Sequence, residues 1–160
     1  MSITSVTADW KSDGQDFLSG RYSRAHTLSF DGGVVVPGSS SPSVVPLPLS
    51  IEAAVDPEEM FVASLSACHM LWFLDFARRA GADVLSYSDQ ASGVMGKDEQ
   101  GRTSVTHVTL RPDVRFKEPL PPERLESLHH QAHEACFIAN SVKTAIAIEP
   151  VDNKEERHHG

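Results

Sequence analysis

The chain of 160 residues predicts an α+β fold, with antiparallel sheets set around one long, buried central helix. Three features of the sequence carry that expectation. The longest apolar run, residues 60–77 (MFVASLSACHMLWFLDFA), has apolar side chains in every direction around a helix, so a helix here is buried on most sides. Stretches of alternating or β-branched residues lie on both sides of it. A second helical pattern and a short strand then close the chain.

Taken in order, residues 2–10 alternate weakly through Ile3, Val6, Ala8 and Trp10 and predict a strand. Asp13-Gly14 marks a turn, and residues 17–30 predict a longer strand with Tyr22, Arg24, His26, Leu28 and Phe30 on one face. Asp31-Gly32-Gly33 signals a hairpin into Val34–Val36. Residues 37–50 (PGSSSPSVVPLPLS) read equally as a flexible loop or as an ordered, extended rim that packs its valines and leucines. Asp56 followed by Pro57 starts the central helix, the first as N-cap and the second at the first helical position. Glu58 and Glu59 in its first turn and Arg78 and Arg79 in its last complement the dipole, and Gly81 stops it, giving a helix over 57–80.

Residues 84–95 then predict one strand, and residues 103–116 a long one with Val105, Thr106, Val108, Thr109 and Val114. Across the polar turn 96–101 they form an antiparallel hairpin, with Pro112 at a bulge or an edge. A second helix is expected over 122–135, with Leu125, Leu128, His129 and Ala132 at helical spacing and Cys136 at its end. A bend at 137–141 leads to a last strand, 142–148. Residues 1–151 are expected to form a single domain, followed by a polar, disordered tail at 152–160. So apolar a helix is more than one small sheet covers, and association with a second chain would finish its burial.

A formal charge of −8 and a pI near 5.4 argue against nucleic-acid or anionic-membrane partners. His69, Asp75 and two serines argue against a membrane span at 60–77. The N-terminus has no charged start followed by an apolar block, so a cytoplasmic location is expected, where two cysteines are more often free or redox-active than a structural disulfide. No metal or other cofactor is expected, because there is no C-x-x-C and His69, His129, His130 and His133 lack a zinc spacing. His26 and His69 read as packing residues, and His129, His130 and His133 as lining the exposed part of the second helix.

Each cysteine taken by itself fits an inert core role as well as a reactive one. Apolar surroundings raise a thiol pKa, and only a nearby cation reverses that for Cys68. Arg24 and Arg21 are the candidates, and an arginine in an apolar pocket in turn needs an acid such as Glu58 or Glu59. Glu58 precedes Cys68 by ten residues, about 15 Å of straight helix. The arginine therefore bridges that gap, the helix breaks, or the glutamate comes from a second chain.

The stretch Asp56-Pro57-Glu58-Glu59-Met60 through Ala67-Cys68 resembles the N-P-E-E-L…A-x-x-x-A-C signature of the osmotically inducible protein C and organic hydroperoxide resistance (OsmC/Ohr) family. His133-Glu134-Ala135-Cys136-Phe137-Ile138-Ala139-Asn140-Ser141 resembles its second motif, A-H-x-x-C-P-[IY]-S-N-A, and the likeness extends over about residues 3–150. The resemblance implies an intertwined homodimer and a thiol peroxidase that reduces organic hydroperoxides. By it, Cys68 is the peroxidatic cysteine and Cys136 the resolving one, so that a Cys68–Cys136 disulfide forms and an external dithiol, such as a lipoyl-type thiol, reduces it. Glu58 matches the family's glutamate, and Arg24, or in second place Arg21, its arginine. Apolar neighbours of Cys68 (Leu65, Leu71, Trp72) would favour bulky alkyl or lipid peroxides. Phe137 stands where the family has proline, and residues 17–26 lack the glycine-rich segment of the organic-hydroperoxide branch, which points to an OsmC-like side branch. The alternatives are a non-catalytic protein of this fold that binds an apolar ligand or senses oxidation, and a scaffold with inert thiols.

Overall fold

In a computed structural model, which describes residues 1–152, the chain is α+β and forms two compact units, Met1–Met60 and a second that begins at Phe61.

The first unit holds a three-stranded antiparallel sheet of β1 (Val6–Asp9), β2 (His26–Phe30) and β3 (Val35–Gly38), in that order. The Asp31-Gly32-Gly33 hairpin forms as expected, with Gly33 at a φ of 99° that suits glycine. The strand expected over 17–30 begins only at His26. Gly20 has a φ of 84° and turns the chain back, and the Gly20 and Arg21 N–H groups bond to Phe17 O and Asp16 O within the turn. Trp10, Phe17 and Tyr22 gather there, with ring centroids 4.9–5.7 Å apart.

Residues 37–50 are an ordered rim held by buried serines. Ser39 Oγ accepts the Ile51 N–H at 2.9 Å, and Ser50 Oγ donates to Val45 O at 2.6 Å. The apolar residues expected to pack there, Val44 and Leu47, point outward instead. Once the serines have taken up the buried backbone groups, the loop needs no apolar anchor.

Helix α1 (Pro57–Arg79) starts with a reciprocal cap: Asp56 Oδ1 accepts the Glu59 N–H at 2.8 Å, and Glu59 Oε1 accepts the Asp56 N–H at 3.2 Å. It ends at Gly81, whose φ of 74° lets the Ala82 N–H reach Ala77 O at 2.9 Å. The expectation of burial on most sides is corrected. The fully buried residues are Leu65, His69, Phe73 and Ala77, a single stripe four residues apart, and Leu71 is 62% exposed. In length and hydropathy α1 matches a membrane span, with acidic residues in its first turn and arginines in its last.

In the second unit the expected strand 84–95 is two strands in two sheets, β4 (Val84–Asp89) and β5 (Ser92–Lys97). The expected strand 103–116 likewise divides into β6 (Thr103–Leu110) and β7 (Pro112–Phe116). β4 pairs with β7 and β5 with β6, all antiparallel. Both breaks meet at Asp89, whose carboxylate accepts the Arg111 N–H at 2.6 Å and the Ser66 hydroxyl at 2.6 Å. Proline at 112 has no N–H to give the ladder, and the Asp89 side chain takes the Arg111 donor that a continuous strand would use. Gly93 permits a close approach to α1, because a Cβ there would lie 2.9 Å from Val62 Cγ2.

Helix α2 (Pro122–Ala135) runs as expected, and Cys136 is its C-cap. A 3-10 turn, Ala139–Ser141, leads to β8 (Ala145–Ile148), shorter than the expected 142–148 and parallel to β6. Two apolar clusters result. Phe73 and Ala77 pack with Leu120, Leu128 and Ala132, and Leu65 packs with Val108 and Leu110. Most of the tail expected at 152–160 lies outside the described residues.

Candidate active site

Two segments distant in sequence bring the cysteines together. Cys68 lies in the middle of α1, one residue before the buried stripe residue His69, and is half-buried. Cys136 caps the far end of α2 and is 1% exposed. Both are free thiols. Burial raises the pKa of Cys136, the backbone N–H of Ala139 at 3.4 Å from Sγ works against that, and a hydrogen bond with the Cys68 thiol raises it again. The two thiols are thus near each other and differ in access: Cys68 is half-buried, and Cys136 lies in a turn that already offers an N–H to its sulfur.

Aromatic rings flank the pair. Trp72, one turn beyond Cys68, meets Phe137, the residue after Cys136, edge to face at 5.4 Å, and stacks on Phe76 at 5.6 Å. Phe137 is 67% exposed. Of the apolar residues expected around Cys68, Trp72 belongs to this wall, whereas Leu65 is buried under β6 and Leu71 points outward.

The expected charged partners lie in the first unit. The Arg24 guanidinium donates to Gly20 O at 3.0 Å and to Tyr22 O at 2.5 Å, and stacks on the Tyr22 ring at 3.7 Å. Arg21 is exposed and pairs through its backbone with Asp16. Glu58, in the first turn of α1, has a buried carboxylate oxygen, Oε2, with no hydrogen-bond partner. A buried carboxyl oxygen without a partner is costly, and a guanidinium is the side chain best shaped to meet a carboxylate.

A feature the sequence reading missed is a buried imidazole pair. His69 Nε2 and His129 Nδ1 are 3.0 Å apart, and the rings are nearly parallel. Burial lowers the pKa of His69 to about 4 and that of His129 to about 3, so both are neutral at pH 7. The expectation that His129 lines an exposed face is therefore corrected: it is 4% exposed, whereas His130 is exposed and His133 half-buried. Its place in the apolar spacing Leu125, Leu128, His129, Ala132 was the available signal. Among the described residues no cluster of three or more histidine, cysteine or acidic side chains suits a metal ion.

The sequence pattern of the family described as OsmC-like protein matches residues 51–151. No curated protein matches the chain. An OsmC-like protein of unknown function from Vibrio cholerae is 52% identical, over 94% of this chain and 100% of that one, with a TM-score of 0.91. An organic hydroperoxide resistance protein from Elizabethkingia anophelis is 18% identical over 94% of each chain, with a TM-score of 0.69. That of Bacillus subtilis is 19% identical over 94% of this chain and 98% of its own, with a TM-score of 0.66. At those identities the last two are alike in fold.

Proposed function

Because this chain belongs to the OsmC-like protein family, we propose that it is a thiol-dependent peroxidase that reduces organic hydroperoxides. The observation that carries this reading is the pairing of a half-buried Cys68 with a buried Cys136, two free thiols near enough that the first raises the pKa of the second. Inert core cysteines have no need of each other. A peroxidatic and a resolving cysteine need this pairing and this difference in access. That structures of the same fold include organic hydroperoxide resistance proteins supports the choice of substrate class.

The chemistry balances on these residues. The Cys68 thiolate attacks the distal oxygen of the hydroperoxide, the O–O bond breaks, and the alkoxide takes a proton and leaves as the alcohol, with Cys68 oxidised to a sulfenic acid. The Cys136 sulfur then attacks the Cys68 sulfur, water leaves, and a disulfide forms. An external dithiol, of the lipoyl type, reduces it by exchange and becomes oxidised. The amide of Ala139 beside Cys136 Sγ supports negative charge on that sulfur when the disulfide is opened.

In this reading Arg24, or Arg21 in its place, stabilises the Cys68 thiolate, and Glu58 holds the guanidinium. The unpartnered Glu58 Oε2 supports this, since an arginine released from the Tyr22 loop would satisfy it. The partly covered α1 and the exposed Leu71 and Phe137 support a homodimer, with a second copy covering them. The cytoplasm, which keeps thiols reduced, is the compartment this cycle requires.

The test is peroxide-dependent oxidation of dihydrolipoamide by the purified protein. Turnover of cumyl hydroperoxide faster than hydrogen peroxide, lost in Cys68→Ser, is expected. In Cys136→Ser a dimedone-reactive sulfenic acid should accumulate on Cys68 after one equivalent of peroxide. Undiminished turnover in Cys68→Ser would sink the reading.

A further inference from the structure

A ring beside the cysteine pair is placed by something other than core packing. Within the chain Phe137 is 67% exposed, so burial contributes little to its position, and the family motif has proline there. Yet Phe137 meets Trp72 edge to face, with ring centroids 5.4 Å apart and planes at 89°. Trp72 is backed in turn by Phe76, stacked at 5.6 Å. Trp72 follows Cys68 by four residues, so both leave α1 on the same side. Phe137 follows Cys136 directly. The ring contact thus ties the residue after one cysteine to the part of α1 that carries the other.

The segment around Cys136 is wound tightly upon itself. The Asn140 N–H bonds to Cys136 O at 3.0 Å, the Ser141 hydroxyl to Phe137 O at 2.7 Å, and the Asn140 side-chain amide to Glu134 O at 3.0 Å. These bonds all close within residues 134–141, so they shape the turn but do not fasten it to α1. Side chains do that. Ile138 packs into the cluster of Leu65, and Phe137 meets Trp72. Leu65 precedes Cys68 by three residues and Trp72 follows it by four, so the two contacts straddle that cysteine.

A disulfide needs its Cα atoms within about 7 Å and its Cβ atoms turned toward each other. Its stability depends on how much of the time the two thiols are already so placed. We infer that Phe137 is a positioning residue: through its contact with Trp72 it holds Cys136 toward Cys68 and stabilises the Cys68–Cys136 disulfide against an external dithiol. In that exchange the protein S–S bond breaks, both cysteines take protons from the dithiol, and the dithiol closes its own disulfide. Without the ring, the reduced turn is freer to swing away, which favours the dithiol form of the protein. The inference rests on the disulfide of the proposed cycle, but not on the peroxide that makes it.

The experiment is redox equilibration of the purified full chain in mixtures of oxidised and reduced dithiothreitol, with the disulfide scored by alkylation and mass mapping. Phe137→Ala is expected to shift the equilibrium about three- to tenfold toward the dithiol form, a reduction potential about 15–30 mV higher. Phe137→Tyr, which keeps the ring, should return the wild-type potential. A loss of stability or of chain association alone would act on both redox forms alike and leave the potential where it is. An unchanged potential in Phe137→Ala, or a shift that Phe137→Tyr does not reverse, would overturn the inference and leave the peroxidase reading standing. The expected shift in a chain that turns over no hydroperoxide would uphold the inference and remove that reading. A wild-type chain that forms no Cys68–Cys136 disulfide in any mixture would overturn the inference together with the resolving step.

Discussion

Cys68 and Cys136 show one residue type made different by its surroundings. Cys136, 1% exposed and raised in pKa by burial, should resist alkylation, while half-buried Cys68 should accept it. Brief iodoacetamide treatment of the reduced, folded protein followed by mass mapping is expected to label Cys68 first, and Cys136 only after unfolding. Glu58 gives a second prediction at this scale. Its unpartnered Oε2 means that Glu58→Gln breaks no bond to that oxygen, so the thermal midpoint should not fall. If Glu58 holds the catalytic arginine, kcat/KM for cumyl hydroperoxide should drop about 10- to 100-fold, the worth of a hydrogen bond to a charged group. Equal losses of stability and activity would make Glu58 a structural residue instead. As candidates, Cys68, Cys136 and Glu58 were legible because each sits in a motif. His129 was not, because a polar residue type was weighed above the helical spacing that placed it inward.

Elements were legible where local chemistry sets them. The α1 start was readable in Asp56-Pro57-Glu58-Glu59, and the side chains of Asp56 and Glu59 cap each other's backbone as that pattern requires. Asp56→Ala should cost about 1 kcal/mol of unfolding free energy in a urea titration. Strand boundaries set by distant partners were not readable. β4 and β5 run together in sequence, as do β6 and β7, because the residues at the breaks keep strand character. What separates them is the Asp89 carboxylate, bonded to Arg111 N and Ser66 Oγ, 22 and 23 residues away. Asp89→Ala leaves that backbone donor without its acceptor and is expected to cost about 1–3 kcal/mol. A smaller loss would mean that water replaces the carboxylate at the corner.

For the whole molecule, the His69–His129 pair ties folding to pH. Unfolded, each imidazole takes a proton near pH 6.5; folded, they resist protonation until about pH 4 and about pH 3. The unfolded chain therefore binds more protons throughout that interval. The pair's contribution is complete above about pH 6.5 and is lost as pH falls through the folded values. Urea midpoints should decline from pH 6.5 to 4.5, before most carboxylates titrate, and the decline should flatten in the double variant His69→Phe/His129→Phe. A wild-type profile flat over that range would contradict the burial of the pair. The sequence by itself determined the α+β class, both helices and the family, and offered two cysteines as candidates, because helix caps, turn glycines and motif spacing act over a few residues. Only the tertiary structure decided that the two cysteines come near each other, where the long strands break, that α1 buries one stripe of its surface, and that two histidines face each other in the core. Those outcomes depend on burial and on hydrogen bonds between residues far apart in the chain, which local spacing does not encode.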